Sequence, residues 1–227
     1  MIQELINLFF PKVCAGCESL LLSGENVICT RCRHEIPQTN HHLIAENEAF
    51  RKFYGKVPVA FVVCFLYFHK RGIVQHLIHN LKYKGCETIG TVIGDWFWPN
   101  LSTLVATHNV DEIVPVPLHP KRLRKRGYNQ VTAFGKSLSI HLKIPYNERL
   151  LVRRHYSKTQ TRKNLLNRAQ LVKSNIFDVD FTAADHQKHF LLVDDVLTTG
   201  STLEACARAL LKIPGVKISV VTVAFSQ

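Results

Sequence analysis

Apolar residues fall into two kinds of run along this chain. Unbroken runs, rich in β-branched and aromatic side chains, lie within 58–68, 111–116, 189–194 and 216–225. They predict strands covered on both faces, where no polar side is needed. Between them, apolar positions recur at helical spacing near 72–83, 87–98, 128–142 and 202–212, the period of an amphipathic helix. The alternation predicts an α/β domain on a mainly parallel sheet, with a βαβ unit at the carboxyl end. Ile2, Leu5, Ile6 and Phe9 share the helical spacing and predict a short packing helix. The segment from about 150 to 188 has neither period, and so long an irregular connection is usually functional or mobile.

The chain has 227 residues, 46% of them apolar, enough for a buried core. No apolar stretch reaches the roughly 18 residues of a spanning helix, and "MIQELINLFFPKVC" has neither the basic start nor the cleavage site of a secretory signal. A cytoplasmic protein without membrane insertion is expected.

Cys14, Cys17, Cys29 and Cys32 spell C-x2-C-x11-C-x2-C. Two such knuckles converge four thiolates on one tetrahedral ion. Disulfides or a redox pair are the competing reading, disfavoured by the expected reducing compartment. A structural zinc ribbon is predicted over residues 1–50, with His34, His41 and His42 as possible substitute ligands and the main domain over 51–227. Cys64, Cys86 and Cys206 are expected to be core thiols.

The run ending at Val193 leads into Asp194 and Asp195, then "VLTTGST". Open α/β sheets bind ligands at the carboxyl ends of their strands, and two adjacent carboxylates need hydroxyl or cationic partners. The hydroxyls of Thr198, Thr199, Ser201 and Thr202, the freedom of Gly200 and the amides of the following helix can surround a phosphate. Acids for a sugar diol beside a nest for a phosphate imply a ribose 5-phosphate site. The competing reading is a helix cap closed by Ser201 and Glu204.

Charge is localised. Residues 119–168 hold 14 of the 29 Lys and Arg against one acid, Glu148, a net +13 within a chain of +12. Lys121, Arg122, Arg124, Lys125 and Arg126 put five cations in six positions. With Tyr128, Phe134, Tyr146 and Tyr156 interleaved, the segment can hold a single-stranded nucleic acid through phosphates and stacked bases, although Phe134, at helix spacing with Leu138, reads more simply as core. Arg31, Arg33, Arg51, Lys52 and Lys56 can extend that groove.

Residues 190–202 resemble the phosphoribosyl pyrophosphate signature of type I phosphoribosyltransferases. The four cysteines, "NLKYKG" at 80–85, "IVPVPLHPKRLRKRGYNQ" at 113–130 and "LLVRRHYSKTQTRKNLLNRAQL" at 150–171 narrow the resemblance to the ComF family of competence-associated proteins. It implies a type I phosphoribosyltransferase-like parallel sheet flanked by helices, behind a small zinc ribbon. It also implies that Pro117, Leu118 and His119 form a pyrophosphate loop. Arg153, Arg154, Lys158, Arg162 and Lys163 would lie on a loop closing over the ligand, with Mg2+ on the pyrophosphate and Asp194 and Asp195 orienting the ribose at the reacting centre.

Neither a base-recognition hood nor glutamine-hydrolysing machinery is identifiable. Three functions follow: a DNA-uptake protein binding single-stranded DNA and phosphoribosyl pyrophosphate, a transferase of unknown acceptor, or a ligand-sensing regulator without turnover. DNA translocation or recombination proteins are the expected partners of the first.

Overall fold

The computed structural model describes residues 11–153 and 176–227; the helix expected over Ile2–Phe9 lies outside them. In chain order come α1 (Thr30–Glu35), α2 (Glu48–Arg51), β1 (Val62–Tyr67), α3 (Ile73–Tyr83) and α4 (Thr88–Thr107). Then follow β2 (Glu112–Pro115), α5 (Pro120–Arg126), α6 (Thr132–Leu142), β3 (Leu151–Arg153) and β4 (Phe177–Val179). The chain closes with β5 (His189–Leu197), α7 (Ser201–Leu210) and β6 (Lys217–Phe225).

The main sheet has the order β1-β6-β5-β2, every pairing parallel, and β5–α7–β6 is the expected βαβ unit. Leu191 and Val193 of β5 enter a core shared with α3, α4 and α6, whereas Phe190 and Leu192 enter a second core with α7 and the β3–β4 pair. Burial on both faces explains the unbroken apolar runs.

Helix α4 and strand β5 run longer than expected, each for a packing reason. The α4 helix continues past Pro99 to Thr107 because Ile89, Ile93, Phe97, Leu101 and Val105 form one buried row at four-residue spacing. An interior proline costs about 3 kcal/mol, and burying the two side chains beyond it offsets that at about 1.5–3 kcal/mol each. The α6 helix crosses α4 closely: a Cβ on Gly94 would stand 2.6 Å from Ser137 Cβ, and one on Gly90 2.9 Å from the Phe134 amide. Strand β5 runs to Leu197 because Asp194, Val196 and Leu197 pair with Thr222, Ala224 and Phe225, so the acids lie within the strand. In the irregular segment, β3 and β4 pair antiparallel. Cys64 and Cys206 are buried as expected, but Cys86 is only partly so, lying past the end of α3.

The strand register is constant through the acid pair. Along β1 the paired residues pass from Cys64↔Thr222 to Leu66↔Ala224, and along β5 from Asp194↔Thr222 to Val196↔Ala224. On β1, Phe65 and Leu66 both enter the first core, as do Val223 and Ala224 on β6. Strict alternation is therefore lost in step across neighbouring strands while their register is kept.

The cysteine module is fused to this body. Cys14, Ala15, Ile28, Cys29, Cys32 and Ile36 belong to the first core. Asn80 of α3 donates to Ala15 O at 2.8 Å, and a Cβ on Gly16 would meet Ile73 Cγ2 at 2.9 Å. The outgoing chain bonds to β1 through Tyr67 N to Pro37 O at 2.8 Å and Thr39 N to Phe65 O at 3.0 Å.

Candidate functional site

The four sulfurs of Cys14, Cys17, Cys29 and Cys32 lie within 4.8 Å of one another. Cys17 Sγ and Cys29 Sγ are 3.7 Å apart, far beyond the roughly 2.05 Å of a disulfide. Tetrahedral geometry with metal–sulfur bonds of about 2.3 Å requires sulfurs about 3.8 Å apart. Amides support the sulfurs: Gly16 N and Cys29 N each donate to Cys14 Sγ at 3.3 Å, and Cys32 N to Cys29 Sγ at 3.4 Å. The donor set fits a metal ion. Among the described residues no histidine joins the cluster; His41 is buried elsewhere, edge-on to Phe225.

At the end of β5 the chain turns through Gly200, whose φ of +79° lies in the left-handed region open to glycine. Helix α7, of ten residues, begins at Ser201 without a side-chain cap. The competing reading, a Ser201–Glu204 box, does not form: Glu204 turns to Arg208, with Nη2 at 3.0 Å. Thr199 and Ser201 bond to each other at 3.0 Å. Asp194, Thr198, Thr199, Gly200, Ser201 and Thr202 line a hollow of about 40 Å³, on the order of three water positions. Lys52 and Phe53, whose side chains a Cβ on Gly200 would meet at 3.8 and 3.9 Å, flank it.

The pleat separates the acids. Asp195 reaches toward α3, where Lys82 Nζ stands 2.8 Å from its Oδ2. That oxygen accepts no directed hydrogen bond, so the contact is charge on charge. Asp194, between Phe190 and Leu192 on one side and the turn on the other, accepts the Asp195 amide at 2.8 Å. Burial first, then the charge of Asp195, push its carboxyl up to about 8.

A carboxyl raised in the folded state keeps a proton that the unfolded chain has released, so ionisation opposes folding as pH rises from about 4 to 8. In ligand-free protein, Asp194→Asn is expected to stabilise, and its advantage to grow by on the order of 1–3 kcal/mol between pH 5 and 8 before levelling off. Urea unfolding at both pH values measures this; a constant offset would refute it.

Pro117, Leu118 and His119 follow β2, the strand paired with β5. His119 Nδ1 accepts the Lys121 amide at 3.2 Å and caps α5, a helix not among those expected from the apolar pattern. Lys121, Arg122, Arg124 and Lys125 are exposed on it and Arg126 is half-buried. Arg153 is half-buried on β3, its guanidinium 5.2 Å from the Phe177 ring centre; Arg154, Lys158, Arg162 and Lys163 lie outside the described residues.

Sequence reasoning missed Lys82. Its signal was present: Val74, Ile78 and Lys82 form one row at four-residue spacing, and the first two are buried. A lysine continuing a buried row needs a partner. Lys82, Tyr83, Arg122, Lys125, Arg126 and Tyr128 line a cavity of about 330 Å³ between α3 and α5. Tyr128 Oη donates to Leu81 O, tying the chain after α5 to α3.

The phosphoribosyl transferase domain model matches residues 132–226, which include β5, the turn and α7. Competence protein F of Haemophilus influenzae is 27% identical over 214 residues, covering 90% of this chain and 93% of the relative. Competence protein ComFC of Bacillus subtilis is 28% identical over 202 residues, covering 88% and 78%. DNA utilization protein YhgH of Escherichia coli is 30% identical over 139 residues, 60% of each chain.

Proposed function

This chain belongs to the family of competence protein F and ComFC, and from that premise we propose that it serves DNA uptake by binding a phosphoribosyl pyrophosphate-type ligand and single-stranded DNA. The observation that carries the ligand reading is the uncapped start of α7 behind the hydroxyl-lined turn. At the helix start the Ser201 amide has only a long contact to Thr199 Oγ1, at 3.4 Å, and amides at the positive end of the dipole favour a phosphate. In this reading Thr198, Thr199, Gly200, Ser201 and Thr202 hold the 5′-phosphate, Asp194 and Asp195 engage the ribose, and Pro117, Leu118 and His119 meet the pyrophosphate. A Mg2+ ion would supply charge neutralisation on the pyrophosphate.

The DNA reading rests on α5, where four exposed cations and Arg126 lie on one short helix beside Tyr83 and Tyr128. The four-sulfur cluster holds Zn2+ as a structural ion, because four thiolates leave no open coordination position. Thiols kept for a metal point to a reducing, cytoplasmic setting.

Calorimetric titration with phosphoribosyl pyrophosphate, with and without Mg2+, tests the ligand. Saturable binding is expected, and Thr199→Asp should weaken it at least tenfold while leaving the melting temperature unchanged or higher. The new carboxylate would repel the phosphate yet suit the helix start. No heat from the wild type, or full affinity in Thr199→Asp, would remove the turn from the proposal. Pyrophosphate release in the same mixtures would favour a transferase over a binding role.

A further inference from the structure

Lys82 belongs to two places at once. Its ammonium stands 2.8 Å from Oδ2 of Asp195, the neighbour of the Asp194 that lines the hollow at the turn, and its side chain lines the cavity between α3 and α5. Asp195 has 7% of its side-chain surface exposed, Lys82 25%, so the acid is fixed while the lysine can move toward solvent. The cavity lining holds Lys82, Arg122, Lys125 and Arg126 and no acid. It also holds Tyr83, 67% exposed, with the Arg126 guanidinium 5.5 Å from its ring centre. Four cations beside an accessible ring match one nucleotide unit of a single strand, phosphate to the cations and base to the ring.

We propose that this cavity seats a nucleotide of single-stranded DNA and that Lys82 couples it to the phosphoribosyl site. A strand phosphate entering the cavity draws Lys82 away from Asp195. The buried carboxylate, left without its cation, then gains more from the hydroxyls of an incoming ribose. Reciprocally, a ribose engaged on Asp195 releases Lys82 to the strand. Each ligand thus tightens the other by one factor, as linkage requires. The inference rests on the two binding readings above and adds a sign and a residue.

The test is titration of phosphoribosyl pyrophosphate into full-length protein alone, with saturating oligodeoxythymidine, and with inorganic tripolyphosphate, in wild type and Lys82→Gln. Direct binding of the oligonucleotide is measured alongside. In wild type the oligonucleotide should tighten phosphoribosyl pyrophosphate about 5- to 20-fold, within the usual range of coupling between sites. In Lys82→Gln the factor should fall below about twofold, while the oligonucleotide still binds through α5. Lys82→Arg, which keeps the charge, should retain coupling and serves as a control for folding. Tripolyphosphate producing the full factor would overturn the nucleotide pocket. Two ligands that bind independently in wild type, or coupling that persists in Lys82→Gln, would overturn the role of Lys82. Failure of either ligand to bind alone would instead reject the underlying reading and the coupling with it.

Discussion

Cys14→Ser protein will emerge without its equivalent of zinc and with a melting temperature lower by more than about 10 °C. The expected size follows from position. Cys14, Cys29 and Cys32 are buried in the core that includes Val74, Leu77 and Leu81 of α3, so losing the ion removes a wall of the domain. Structural zinc sites carry roughly 10–16 kcal/mol of binding free energy. Even about 3 kcal/mol lost from a chain of this size lowers the melting temperature by about 6–12 °C. Metal analysis and thermal melts of protein prepared without added zinc check both parts. A metal-free wild type that melts with the loaded one would show that the sulfurs hold nothing of consequence.

Affinity for single-stranded DNA will fall about 100-fold when salt is raised from about 50 to 200 mM, if the five cations of α5 each neutralise a phosphate. The slope for single strands is about −0.7 per phosphate, so five contacts give about −3.5. Replacing Arg124, Lys125 and Arg126 by Ala should flatten the slope by about 2 and weaken binding most at low salt. Fluorescence anisotropy with a labelled oligonucleotide across a salt series measures both. A slope unmoved by the triple substitution would place the DNA elsewhere.

Much of the architecture was legible because each major element carried a local signal. The parallel strands announced themselves by lacking a polar face, and the knuckles by spacing alone. The extent of α4 was hidden because Pro99 is a strong local stop, overridden by a row of apolar contacts that only the fold supplies. Helix α5 was hidden because its residues are almost all charged, with no apolar period to read. At the site, the turn and the acids were legible as residue types in order. The opposite facing of Asp194 and Asp195 required strand bounds that the apolar run understated by three residues. Lys82 was hidden because its partner lies 113 positions later in the chain, and only the buried row preceding it hints that it needs one.

The docking of the cysteine module on Ile73 and Asn80 bears on how a new chain matures. The four sulfurs leave the ribosome before any strand of the sheet, and the two knuckles can close on an ion with little of the chain made. Helix α3 follows and finds half of its seat already rigid. An ion captured there would act as an early template in biogenesis, and a cell short of that ion would accumulate chains whose Lys82-bearing helix settles late.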